Sequence, residues 1–430
     1  MVHHTLRHRL LLVLVTLLVL LPLAAGRRTA QAAHPADQSV TLNFWVFEGE
    51  NQILPAFVKA FHDQHPNINV HITLIPEDNY VTKIDTALAA GSPPDIGWIY
   101  DPHWLKAGKL LPMDSVIAAH HITVKDFSKG VVHDECTYNG RLYCLGSYLD
   151  GEVLWYNKDM FRAAHIPFPS TTKPLTIDQY AAIAKKLSKP NQDIKKRVWG
   201  GFAEDPFWYQ DFRNFVDPTG HKVTGYLNSP RTVRMFAALA GMVHDGAAPS
   251  SAAGQLLSNV NIFASGQQAM TVDSAEEFNF ADAKHLHYGV APVPVPAGEK
   301  PWVSTWTDAW GVFSGSKHPK EAEEFLAFIW TQGQDIRVKV TGQLPLDYTV
   351  ADRLHWAGTN AAKAQFLQVL KLARPNVFAP NLFSILGALD DPFNLIANGK
   401  ESAQKALDDV TPRIQQNLDQ AWQTWNEIQQ

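Results

Sequence analysis

The chain is poor in cysteine and short of basic residues. Only 2 of its 430 residues are Cys, at positions 136 and 144. They are not spaced C-x-x-C, which removes a thioredoxin-like redox motif, and two thiols without a nearby His pair are too few for a zinc site. His120-His121 and His285-x-His287 likewise lack a carboxylate-rich or thiolate partner at ligating spacing, so no metal is expected. Lys and Arg number 37 against 42 Asp and Glu, a net charge of −5. An acidic balance excludes the basic footprint that nucleic-acid binding needs. Walker A, G-x-S-x-G and H-E-x-x-H motifs are missing, and no cofactor is implied. Internal repeats are missing too, and beyond the N-terminus no apolar run is long enough to span a bilayer.

What is present begins with a secretory pattern over residues 1–32. Arg7 and Arg9 form a charged start, Leu10 to Ala25 an apolar stretch, and Ala30-Gln31-Ala32 a small-x-small cleavage site before Ala33. The alternative is an uncleaved anchor. No Cys follows the apolar stretch, so a lipoprotein is not expected. Without residues 1–32 the net charge becomes −9, from 33 basic and 42 acidic groups. The remaining length suffices for two domains with substantial cores. An exported chain meets oxidising conditions, and a three-residue loop Asn139-Gly140-Arg141 would set Cys136 opposite Cys144, so a disulfide is predicted.

Strand and helix patterns alternate along the chain. Thr41–Phe47, Asn69–Ile75 and Asp95–Tyr100 read as strands, with helical spacing over Asn51–His65 and Asn79–Ala90 between them. Past Asp150-Gly151 the alternation resumes. Helices are predicted over Thr176–Leu187, Ser229–Asp245, His318–Trp330 and Ser402–Ile428, and strands at Val198–Phe202, before Asp273, at Tyr288–Val295 and over Thr305–Ser314. Such alternation implies βαβ units and mainly parallel sheets. Asp150-Gly151 joins two strand-like runs in a crowd of aromatic rings and looks like the junction of two folding units.

Six short motifs lie in order along the chain: Gly91-Ser92-Pro93-Pro94-Asp95-Ile96; Gly140-Arg141-Leu142-Tyr143; Tyr156-Asn157-Lys158-Asp159-Met160-Phe161; Phe263, Gly266, Ala269 and Met270; Lys317, Pro319, Ala322, Phe325 and Phe328; and Gly342-Gln343-Leu344-Pro345. Together they resemble the extracellular solute-binding proteins of ABC importers, family 1, the maltose-binding-protein-like group. Cys144 and Ser147 depart from the family's usual Gly and Pro. The resemblance implies a type II two-lobed α/β fold, each lobe a mainly parallel sheet flanked by helices and joined by hinge crossovers. One lobe would take residues 33–150 and about 296–345, the other 151–295 and about 346–430. It also implies a monomer that captures a sugar or oligosaccharide between the lobes and delivers it to ABC permease subunits. Two alternatives stay open: a secreted carbohydrate-active enzyme with a carboxylate pair, for which Asp134 with Glu135 or Glu276 with Glu277 are candidates, and a sensor or adhesin on the same fold.

In open α/β sheets ligands lie beyond the carboxyl ends of strands. That rule selects Glu48, Asn51, Tyr100, Asp101, Tyr148, Asp150, Asp273, Glu276, Trp302, Trp306, Thr307 and Asp308 as ligand-binding candidates. Carboxylates bind sugar hydroxyls and aromatic planes cover the C–H face. Trp306 is the first stacking candidate, although Ser304-Thr305-Trp306 stands where the family often has Gly-Gly-x-Trp. Each has a structural alternative: core packing for Trp306, helix capping for Asp101 and Asp273, a turn for Asp150, solvent exposure for Glu48. Asp95 is assigned to structure. Phosphate esters would call for basic loops, which are scarce here, whereas a polyamine would suit the acidic ones.

Overall fold

The computed structural model of the protein describes residues 39–50, 52–99, 101–203, 209–358 and 360–428. The leader 1–32 and the candidates Asn51 and Tyr100 lie outside the described residues. Strand β1, Val40–Phe47, alternates apolar and polar residues, so Leu42, Phe44 and Val46 are buried while Thr41 and Asn43 are exposed. It pairs in parallel with β2 (Ile68–Ile75) and β3 (Ile96–Trp98), and β3 pairs antiparallel with β11 (Trp310–Val312), giving the order β11-β3-β1-β2. Helices Leu54–His62 and Pro319–Phe328 pack against it through aromatic edges: Phe44 lies 5.5 Å from Trp310 and 5.8 Å from Phe325, and Phe61 lies 4.9 Å from Phe325. Asp95 Oδ2 accepts from the Asn43 amide at 2.8 Å and Oδ1 from Ser316 Oγ at 2.5 Å, a structural role.

The second sheet has the order β8-β7-β9, from β7 (Val153–Asn157), β8 (Met270–Asp273) and β9 (Tyr288–Ala291). Here β7 runs antiparallel to both neighbours. β8 and β9 are a strand–helix–strand unit joined through Glu277–Ala283, and β7 is inserted between them in the opposite sense. Parallel contacts in this region are isolated bridges, Trp199 with Gln268 and Thr176 with Val295. All five residues of β7 are buried, and strand parity divides them between two cores. Val153 and Trp155 join the core of the first sheet, whereas Leu154 and Tyr156 join a second core built with the helices Ile177–Leu187, Pro230–His244 and Ala403–Glu427.

Helix starts follow the sequence signals. Thr176 Oγ1 accepts from the Gln179 amide and Gln179 Oε1 from the Thr176 amide, a reciprocal capping box. Ser229 Oγ accepts from the Thr232 amide and caps Pro230–His244, with Pro at the first helical position. Two predicted strands differ. Val198–Phe202 forms only bridges at Val198 and Trp199, because Gly200 and Gly201 bring the chain against the preceding helix; a Cβ on Gly200 would lie 1.7 Å from the Ala184 carbonyl oxygen. Thr305–Ser314 splits into β10 (Thr305–Trp306) and β11, broken where Thr307, Asp308 and Ala309 turn inward as buried residues.

The Cys-bearing hairpin also differs. β4 (Thr137–Tyr138) and β5 (Arg141–Leu142) pair 137 with 142 and 138 with 141, leaving a two-residue loop. Asn139 and Gly140 both have positive φ, 48° and 73°, the requirement of a type I′ turn. The Tyr143 amide therefore bonds to the Cys136 carbonyl, and Cys144 lies one residue past the register. Both cysteines are buried and free, with sulfurs 2.6 Å apart, beyond the ~2.05 Å of an S–S bond. Among the described residues no helix is long and apolar enough to cross a membrane.

Candidate functional site

The chain passes from one core to the other through a short ribbon. β6 (Asp150–Gly151) runs antiparallel to β10, with Gly151 opposite Thr305 and Asp150 opposite Trp306. Beyond the end of the ribbon the Tyr148 hydroxyl donates to Asp308 Oδ2 at 2.7 Å. The pairing thus brings Asp150 and Trp306 together in the ribbon, and the hydrogen bond joins two more candidates, Tyr148 and Asp308, beyond its end. A Cβ on Gly151 would lie 2.5 Å from the Ser304 carbonyl oxygen and 2.8 Å from Leu370 Cδ2, so only glycine lets three chain segments meet here.

Trp306 is half-buried, whereas Trp302 is 4% exposed and donates its indole N–H to the Arg374 carbonyl. Thr307 is buried beside Gly146, and its Oγ1 has no hydrogen-bond partner among the described residues. Arg337, buried at 2% exposure, lies over the Tyr148 ring at 4.7 Å and donates to Ser147 Oγ at 3.0 Å. These contacts fix Tyr148 firmly.

Asp150 is buried, and its Oδ1 accepts from the amides of Gly151 at 2.7 Å and Ala275 at 2.9 Å. The Ala275 contact brings the end of β8 to the ribbon, and with it Asp273 and Glu276. β7 and β8 pair Val153 with Asp273, so Glu152, the residue before, lies at the same end. Asp273 is half-buried, Glu276 exposed, and Glu277 1% exposed. Glu277 Oε2 accepts from Asn261 Nδ2 at 2.7 Å, while Oε1 receives no donor among the described residues. Burial, with the neighbouring Glu276 and Asp273 charges, pushes the Asp150 carboxyl up to about 7. Burial and the Asp273 and Asp150 charges push Glu152 up to about 8. Burial raises Glu277 to about 8 despite the Asn261 bond, and a proton on it is directed at Asp273. Five carboxyls therefore stand together, and among the described residues none of them ion-pairs with Lys, Arg or His.

The other candidates stand apart. Asp101 Oδ1 accepts from the His103 amide at 3.0 Å and contacts His103 Nδ1 at 2.8 Å, while His103 Nε2 meets Asp85 at 3.1 Å. Burial raises Asp101, but the His103 contacts outweigh it and hold the carboxyl below its usual range. That is helix-end chemistry. Glu48 is exposed in the short turn Glu48–Glu50. A hollow of about 650 Å³ is lined by Trp330, Asp335, Lys339 and Arg353 among others, but by none of the candidates. Its Asp335–Arg353 ion pair is internal to its rim, and the convergence of aromatic and acidic groups is at the ribbon.

Sequence reasoning missed Glu152 and Arg337, and named Glu277 only as half of a carboxylate pair for the enzyme alternative. Glu152 follows the Asp150-Gly151 junction directly, so adjacency was the available signal. Arg337 carried none; its burial against Tyr148 is a tertiary event.

Residues 47–335 match the family of bacterial extracellular solute-binding proteins. A protein of Brucella abortus (strain 2308) described only as a binding protein is 25% identical over 374 residues, covering 83% of this chain and 87% of its own. The sn-glycerol-3-phosphate-binding periplasmic protein of Agrobacterium fabrum is 21% identical over 412 residues, covering 86% and 90%. Among solved structures, the ABC substrate-binding protein of Listeria monocytogenes in complex with cycloalternan superposes with a TM-score of 0.71 at 23% identity, covering 89% of this chain and 99% of its own. The fold is that of the two-lobed type II binding proteins.

Proposed function

The chain belongs to the bacterial extracellular solute-binding protein family, and from that premise we propose that its solute is a sugar or oligosaccharide, held at the β6–β10 ribbon and handed to the permease of an ABC importer. One observation carries the proposal: Trp306, half-buried, stands directly across the ribbon from Asp150 where the chain crosses between its two cores. An aromatic face beside carboxyls matches the C–H faces and hydroxyls of a sugar ring.

The crossings at 150–151 and 304–306 would serve as the hinge between a lobe of residues 33–150 with about 296–345 and a lobe of 151–295 with about 346–430. Closure of such lobes around a solute is a known mode of hinge motion. Export by cleavage after residue 32 without lipidation, a monomeric state, solute release without bond cleavage, and oxidation of Cys136 with Cys144 after export complete the proposal. The anionic solute named for the Agrobacterium relative fits less well, since the ribbon gathers five carboxyls, none of which is ion-paired among the described residues.

The test is a thermal-shift screen of the exported chain over mono- and oligosaccharides and phosphate esters. A sugar at about 100 times its dissociation constant should stabilise by ~2.7 kcal/mol, and chromatography should recover it intact. No shift with any sugar defeats the sugar assignment; steady product release favours the carbohydrate-active enzyme.

A further inference from the structure

Asp150, Glu152, Asp273, Glu276 and Glu277 are brought to one place by backbone pairing alone: Asp150 bonds to the Ala275 amide, Val153 pairs with Asp273, and Glu276 and Glu277 open the helix that follows. Carboxyls gathered in a partly buried site are costly unless something positive meets them. Elsewhere the chain supplies it. Asp211, buried like Asp150, lies 2.6 Å from Arg374 and 3.1 Å from Arg213. At the ribbon none of the five has a cationic partner among the described residues.

The second observation is Glu277. Its side chain is 1% exposed, yet Oε1 is without a hydrogen-bond donor among the described residues and faces the Asp273 carboxyl. Glu152, half-buried one residue from the ribbon, makes neither a hydrogen bond nor an ion pair with its carboxylate among the described residues. Glu152 and Glu277 Oε1 are thus left without a donor from the described residues, beside Asp273. The set is not arranged for a metal: among the described residues no three His, Cys, Asp or Glu are disposed to hold one.

We infer that the solute carries a protonated amine, and that Glu152 and Asp273 receive it. The inference rests on the proposed solute site at the ribbon but not on the solute being a sugar. An ammonium group offers three N–H donors and a positive charge, so it satisfies two carboxylates at once and leaves the Glu277 proton on the far side of Asp273. The amine could belong to an amino sugar or to a plain polyamine.

The experiment is calorimetric titration of the exported chain with matched pairs that differ only by an amine for a hydroxyl: glucosamine against glucose, galactosamine against galactose, and the β-1,4 glucosamine disaccharide against cellobiose, with putrescine and spermidine as sugar-free amines. An amino sugar binding roughly tenfold or more tighter than its neutral partner supports the inference. In that case Glu152→Gln should close most of the gap, and Asp273→Asn should do the same; thermal midpoints confirm that both variants are folded. Polyamine binding with no sugar binding supports the amine and overturns the sugar assignment. Neutral sugars that bind as well as their amino partners, or a gap that persists in both variants, overturn the inference and leave the sugar assignment standing. Failure of every probe overturns both.

Discussion

Trp306 and Asp150 face each other as a directly opposed pair in the two-stranded ribbon through which the chain crosses between its cores. The pairing ties the ring proposed to stack on the solute to a carboxyl whose own acceptor oxygen is already engaged by two backbone amides. Asp150 is therefore held in place for Trp306 rather than free to move with a solute.

Trp306→Ala should weaken solute binding by about tenfold or more with little change in stability, because the ring is half-buried and loses mainly stacking. Trp302→Ala should do the reverse: buried and bonded to the Arg374 carbonyl, it should cost ~3–5 kcal/mol. Denaturant midpoints and calorimetric affinities on both variants separate the two roles; a large midpoint loss for Trp306→Ala would place that ring in the core.

Stability of the solute-free protein should fall as pH rises from about 4 to about 8. Asp150 at about 7 and Glu152 at about 8 lie above their unfolded values of ~3.9 and ~4.3. Through that window the native state keeps protons the unfolded chain has released, so unfolding becomes easier with pH and then levels off. The melting temperature should be higher near pH 5 than near pH 8. Glu152→Gln, fixed in the neutral form, should raise it near pH 8 and leave it almost unchanged near pH 5. A variant that melts lower at the upper pH would contradict the sign.

Free-thiol titration of the denatured, unreduced exported protein should find no reactive thiol. Cys136 and Cys144 are buried with sulfurs 2.6 Å apart, so oxidation needs little movement. Because the closed loop is short, reduction should cost no more than about 2–3 kcal/mol. Two titratable thiols would show that the pair remains reduced.

Gly151→Ala should destabilise by roughly 1–3 kcal/mol and weaken solute binding as well. The added methyl would press on the Ser304 carbonyl oxygen and Leu370, forcing the ribbon open. Unchanged melting and affinity would mean that the three segments at the crossing can part without cost.

Much of this protein was written locally. The alternation in Val40–Phe47, the Thr176 and Ser229 caps and the Asn139-Gly140 turn act over a few residues, so propensity and hydrogen-bond geometry fix them wherever they fall. The ordered motifs likewise pointed to the family, and Asp150 and Trp306 were both legible as candidates, though not as partners. What only the tertiary structure decided is pairing at a distance. The opposed Trp306 and Asp150 lie far apart in sequence, the direction of β7 depends on two strands that follow it much later, and Glu277 shows its buried, donor-free oxygen only once β8 has docked. Gly200 and Gly201 turn a predicted strand into a close packing contact because Ala184 is already there. Side-chain periodicity states which face a residue occupies. It does not state what that face will meet, and the electrostatics of the five carboxyls exist only in the meeting.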